Sequence, residues 1–273
     1  MRGKTPRLLC VVLMLCLFTI FISGCGKPEK KLAPKNGKTE QSSEKAQKPK
    51  ELEEITTNIE EIIKSAEQKA SSQTGGESSG SNNQGGSEQK NQGQKDPLKD
   101  WQQEEKMVTD IHKKWNPLEI EVVKAGADDN LLSEFELNLD SLTDQIMSQN
   151  ITGTLTVANE LYGSASKIAG LFQTNNPPQA DMLKYYTRKT MLFVEGDKWV
   201  DAQNMVGSIT QQWDKVKTML EGKNSGLTTQ MDYVIKDLSD SIDRQNKEVT
   251  KIKIEIIMDN IEKVIKEIEE NKQ

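Results

Sequence analysis

Tyr185, Tyr186 and Arg188 stand close together on a segment with helical spacing, shortly before Trp199. A guanidinium beside two aromatic rings suits a ligand groove, the arginine for a carboxylate or phosphate and the rings for stacking. The competing reading puts Tyr186 in the core and pairs Arg188 with Glu195 or Asp197. A second reactive group is the thiol of Cys25, which follows Ile22-Ser23-Gly24 at the end of an apolar run. The single histidine, His112, excludes sites that need two imidazoles. No Gly-x-Ser-x-Gly elbow and no phosphate-binding Gly-x-x-x-x-Gly-Lys loop occurs. Asp128-Asp129 and Asp140/Asp144 could offer oxygens to a hard cation, but they read better as a helix cap and a solvated face. The eight methionines beyond the apolar run are scattered, which suits core filling more than copper. No catalytic residue, metal site or cofactor is expected, and the chain reads as a non-enzyme.

The run from Leu8 to Ile22 is fifteen residues with Thr19 its only polar member, preceded by Arg2, Lys4 and Arg7. Basic start, short apolar stretch and small residues at the cut form a secretory signal. With Cys25 directly after Ile22-Ser23-Gly24, it resembles a bacterial lipoprotein signal. That resemblance implies cleavage before Cys25, a diacylglyceryl group on its thiol, and often a further acyl group on the new amine. Two acyl chains anchor stably where one is marginal. The alternatives are a plain secretory peptide and an uncleaved anchor, the latter short of the roughly 20 apolar residues a spanning helix needs.

The expected mature chain, residues 25–273, carries a formal charge of −9, since the signal removes three positive charges from −6. An acidic surface argues against nucleic acid. Cys10 and Cys16 leave with the signal, so the fold must rest on packing without disulfides.

Segments of contrasting composition follow the signal at 1–24. Residues 25–50 form a Lys-rich tether, with eight lysines against three glutamates in 26–50. Within 51–69, Leu52, Ile55, Ile59, Ile62 and Ala66 are spaced 3-4-3-4, which predicts a short amphipathic helix with one narrow apolar stripe. Such a helix needs a partner, and docking and self-pairing are both open. Residues 70–96, rich in Ser, Gly, Gln and Asn, predict a flexible linker spanning roughly 25–30 Å. Residues 97–273 hold all the tryptophans and tyrosines and are long enough for a real core.

That last segment reads as all-α. Trp101, Val108, Ile111 and Trp115 share a face, and Asn116-Pro117 is expected to interrupt the helix before it restarts. Leu132, Phe135, Leu139, Leu142 and Ile146 form the next stripe, Gln149-Asn150 the turn, and Ile151 to Phe172 a further helix. Asn175-Asn176-Pro177-Pro178 ends it, and Gly196-Asp197 turns the chain after another. Trp199, Ala202, Val206, Ile209, Trp213, Val216 and Leu220 give the cleanest stripe, closed by Gly222. Shifting the chain by 96 superposes Leu142, Asp144, Ile146, Gln149 and Asn150 on Leu238, Asp240, Ile242, Gln245 and Asn246. The repeat predicts a turn at Gln245-Asn246 inside what could otherwise be one long helix. The expected architecture is an antiparallel bundle of about six helices preceded by a disordered tether.

Leu183-x-Tyr-Tyr-x-Arg, Asp197-Lys-Trp199 and Trp213-Asp-Lys-Val-Lys resemble helical lipoproteins of Gram-positive, Firmicutes-type bacteria that have no assigned activity. The likeness covers about Trp101 to Ile268 and implies an all-helical extracytoplasmic domain with no catalytic residues to carry over. A distant likeness, in layout only, is to imelysin-type helical domains associated with periplasmic iron uptake. The expected function is an interaction or binding module of the cell envelope, lipid-anchored through Cys25 on the outer face of the cell membrane. Its partners would be membrane lipid and an envelope protein or transporter. The other reading is a solute- or metal-capture lipoprotein feeding a transporter, which should show a concave polar pocket where a scaffold shows a filled core.

Overall fold

Stripes of apolar residues at 3-4 spacing become eight helices in the computed structural model, which describes residues 45–75, 100–174, 177–220 and 225–270. The expected signal, most of the tether and most of the linker lie outside the described residues, as does Gly222. The helices are α1 (Lys50–Gly75), α2 (Gln102–Lys124), α3 (Asp129–Met147), α4 (Ile151–Ala169), α5 (Pro178–Glu195), α6 (Trp199–Met219), α7 (Ser225–Asp243) and α8 (Lys247–Glu270). The count is therefore eight, not about six. One cause is that α1 is part of the packed body, and the turn expected at Gln245-Asn246 does separate α7 from α8.

Two four-helix rings stand in tandem within the unit Glu44–Gln273. In the first ring α1 packs on α2 and α4, and α3 packs on the same two helices. In the second, α5 and α7 each pack on α6 and α8. Contact between α4 and α5 joins the rings. Each ring has its own core, the first built on Leu52, Ile59, Trp115, Phe135, Leu142 and Leu161, the second on Leu183, Ile209, Trp213, Met231, Leu238 and Ile257.

The amphipathic helix at 51–69 thus supplies a wall of the first ring, and it continues to Gly75. Leu52, Ile55, Ile59, Ile62 and Ala66 are all fully buried. Polar contacts set its antiparallel register on α2. Glu54 pairs with Lys114 at 2.5 Å, Asn58 donates to Asp110 at 2.8 Å, and Lys69 and Ser65 meet Glu104. Lys69 and Glu104 are both buried, with the ammonium 5.1 Å from the Trp101 ring centroid. A charge pair held out of water fixes register strongly, because a slip would leave either ion unanswered.

The expected break at Asn116-Pro117 does not occur, and α2 runs through Pro117. Proline removes one helical hydrogen bond. Ile111 and Trp115 before it and Leu118 and Val122 after it are all buried on one face, and that burial outweighs the lost bond. Ile120, off that face, points out.

The 96-residue repeat reappears as geometry. Gln149 and Gln245 both take left-handed backbone angles, φ 55° and 51°. Asn150 accepts at Oδ1 from the Gly153 amide at 3.0 Å, and Asn246 from the Val249 amide at 3.1 Å. Trp115 donates Nε1–H to Glu136 on α3, and Trp213 donates to Asp232 on α7, the equivalent acid. Asp128 caps α3 by accepting from the Leu131 amide.

A single parallel bridge ties the chain before α1 to the end of α4. The Lys48 amide donates to Gln173 O at 3.0 Å and the Gln173 amide to Ala46 O at 2.7 Å. Removing α1 exposes the first core, at a cost of about 10 kcal/mol for its buried aliphatic side chains, comparable to a whole domain's stability. A chain beginning at 97 should therefore lose slow amide exchange in α2–α4 and keep it in α6–α8, measured by hydrogen-exchange mass spectrometry.

Candidate functional site at the junction of the rings

α4 can serve two rings only because it is thin. Ala158, Gly163, Ser164, Ala165 and Ser166 are all buried, and small residues let neighbouring backbones approach from several sides. Gly163 makes the closest approach. A Cβ there would lie 2.8 Å from the Tyr185 ring. α5 starts at Pro177-Pro178, where a missing N–H costs nothing, and presents Asp181, Lys184, Tyr185, Arg188 and Lys189 to this side.

Tyr185 is buried, its ring against Gly163. Its hydroxyl donates to Glu160 Oε2 at 2.8 Å and accepts from Lys189 Nζ at 2.8 Å. Lys189 closes the triangle on Glu160 at 2.9 Å. Asn159 donates to the Tyr185 carbonyl at 3.1 Å. Burial pushes the Tyr185 phenol up to about 12, opposed by the Lys189 hydrogen bond. Burial also works against the Lys189 charge, but hydrogen bonds to Tyr185 and Glu160 outweigh it and hold the ammonium above its ordinary range.

Arg188 lies over the Tyr162 ring, 4.9 Å from its centroid, and reaches Glu60 of α1 at 3.5 Å. Lys184 meets Glu60 at 3.4 Å and Glu262 of α8 at 2.7 Å. A run of alternating charge therefore joins α8, α5 and α1, and α4 is held beside it through the Tyr162 ring and the Lys189–Glu160 pair. Neither acid expected for Arg188 is its partner. Glu195 pairs with Lys251 at 2.8 Å and Asp197 with Lys247 at 2.9 Å. Tyr186 is half-buried between the two cores, its ring centroid 4.9 Å from that of Tyr185. The three residues singled out in the sequence are thus brought together and engaged by the protein itself. Two shallow depressions in the surface, of about 400 and 260 Å³, lie elsewhere on α7 and α8.

The sequence reading missed Asp181, Glu60 and Glu160. Asp181 accepts from the Tyr162 hydroxyl at 3.2 Å. Burial raises its carboxyl to about 6, against the pull of Lys184 and the Tyr162 hydrogen bond. His112 Nε2 lies 2.9 Å from the Thr143 hydroxyl, which itself donates to Leu139 O. Among the described residues, no three His, Cys, Asp or Glu side chains cluster as metal ligands, and no helix is long and apolar enough to cross a membrane. Chemically, the junction is an interlocked set of ion pairs and hydrogen bonds suited to holding two rings in register.

No family model, curated protein or solved structure matches the chain.

Two substitutions test the junction. Gly163→Ala should lower the melting temperature. Overpacking against a buried ring costs about 1–3 kcal/mol, more than the roughly 1 kcal/mol that alanine returns in helix propensity. Asp181 resists ionisation in the fold, so its contribution to stability is full below pH 3.8 and lost as pH rises through about 6. Asp181→Asn should remove that loss. Its stability at pH 7.5 should rise by up to about 3 kcal/mol, and urea midpoints across pH 4 to 7 should show the slope flattened.

Proposed function

We propose that this chain is a lipid-anchored, extracytoplasmic interaction module of the cell envelope, without catalysis of its own. The observation that carries the reading is the Ile22-Ser23-Gly24-Cys25 sequence at the end of a short apolar run with a basic start. A thiol in that setting is the acceptor for a diacylglyceryl group, and the polar, low-complexity residues after it suit a spacer. The body beyond supports a role in contact and not in turnover. Both ring cores are filled by aliphatic and aromatic side chains, and the charged residues between the rings answer one another. The capture reading expects a concave pocket with converging polar groups at Tyr185, Tyr186 and Arg188, and those side chains contact Gly163, Glu160, Tyr162 and Glu60 instead.

The start of the described body also fits a tether. The bridge between Ala46–Lys48 and Gln173 brings the chain out where α1 begins and α4 ends, with Lys45 donating to Gly170 O at 2.6 Å. Cys25→Ser should release the protein into the medium or leave an unprocessed precursor, and mass spectrometry of the wild-type amino-terminal peptide should find a diacylglyceryl thioether. A cleaved Cys25→Ser product that stays on the membrane overturns the anchor.

A further inference from the structure

The internal repeat says what the outer face of α8 is equivalent to. With the 96-residue shift, Asn159, Glu160 and Gly163 of α4 fall on Glu255, Ile256 and Asp259 of α8. On α4 those positions seat α5, the first helix of the following ring. On α8 all three equivalents are exposed. Beside them an apolar stripe runs along the same side of α8: Val249, Ile252 and Ile256 are 39%, 53% and 39% exposed. Helices that end at solvent present polar residues there, so isoleucines at 3-4 spacing mark a contact surface.

Charge selects the occupant. Glu248, Glu255 and Asp259 stand exposed on the same side of α8 as the stripe. α5, the helix that occupies the equivalent surface, brings Lys184, Arg188 and Lys189 to its junction. A second copy offers the wrong sign. The exposed side of α1, the first helix of the first ring, carries Glu51, Glu53 and Glu61. Acid would meet acid in a head-to-tail chain of copies. Resting on the interaction-module reading, we infer that the Val249–Ile252–Ile256 face of α8 docks an amphipathic helix of another polypeptide, one whose apolar side is flanked by lysine and arginine. Asp259 replaces the glycine that admits the Tyr185 ring on α4, so the incoming helix rides on the isoleucine stripe and salt-bridges Glu255 and Asp259 from its flanks.

The test uses the full chain in mild detergent and a fluorescent synthetic helix of leucine and lysine at 3-4 spacing. A scrambled peptide of the same composition and a leucine-glutamate version serve as controls. Anisotropy should show binding of the leucine-lysine helix alone. Ile252→Glu with Ile256→Glu should weaken it at least tenfold, and Glu255→Lys with Asp259→Lys should weaken it and reduce its salt dependence. Val200→Glu, at an exposed apolar position on α6, should leave binding unchanged, and circular dichroism melts confirm that each variant folds. Equal binding by the isoleucine variants or by the scrambled peptide overturns the proposal. So does sedimentation of the wild type as a dimer that Ile252→Glu dissolves, or binding of the α8 face to anionic vesicles in place of the peptide. Failure here leaves the Cys25 anchor standing, and failure of the anchor leaves this surface testable on its own.

Discussion

The narrowness of α4 is the constraint on which the rest depends. It faces α1, α3 and α5 at once. A helix enclosed on three flanks cannot carry large side chains on all of them without forcing its neighbours apart. Ala158, Gly163, Ser164, Ala165 and Ser166 meet that demand; the Ser166 hydroxyl donates to Tyr162 O within α4, and the Ser164 hydroxyl lies by Glu160 O and accepts from Asn138 of α3. α5 can then approach closely enough for the Tyr185 ring to lie against bare backbone at Gly163. The fixed position of Tyr185 in turn places Arg188 over Tyr162 and Lys184 between Glu60 and Glu262.

Much of the helical architecture was legible because burial on one side leaves a periodic trace. The stripes beginning at Leu52, Leu132 and Trp199 needed no tertiary information, and the matched Gln-Asn turns were visible as a repeated string. Three things were not. A stripe says that a helix is covered and not by what, so the place of α1 beside α2 and α4 could not be read across an intervening low-complexity segment. Proline in α2 is a local signal that tertiary burial on both sides of it overrode. The partners of Arg188 and Lys184 lie far along the chain, Glu60 being 128 residues from Arg188, whereas sequence neighbours offered Glu195 and Asp197. Those nearer acids are taken by α8 lysines.

The two rings share a plan and differ in polarity. Their second helices each insert a tryptophan whose indole N–H meets a third-helix acid, and their third and fourth helices turn alike. Divergence shows on the fourth helices, where α4 meets the next ring and α8 meets solvent. The first ring closes with a buried Lys69–Glu104 pair, while α5 turns Lys189 onto α4, Arg188 toward α1 and Lys184 toward α1 and α8. Repetition has thus preserved what each ring needs to close and altered what each ring shows to a neighbour.

The bridge at Gln173 gives the molecule a mechanical character. Any tension arriving along the chain ahead of α1 meets the Lys45 bond to Gly170 O, the side-chain bond of Gln47 to Gln173 and two backbone hydrogen bonds at Gln173 before it reaches a helix. These few bonds can part without disturbing either core. The bridge therefore acts as a fuse: a modest pull peels a few residues of slack from the body, and only a harder one begins to drag α1 out from between α2 and α4.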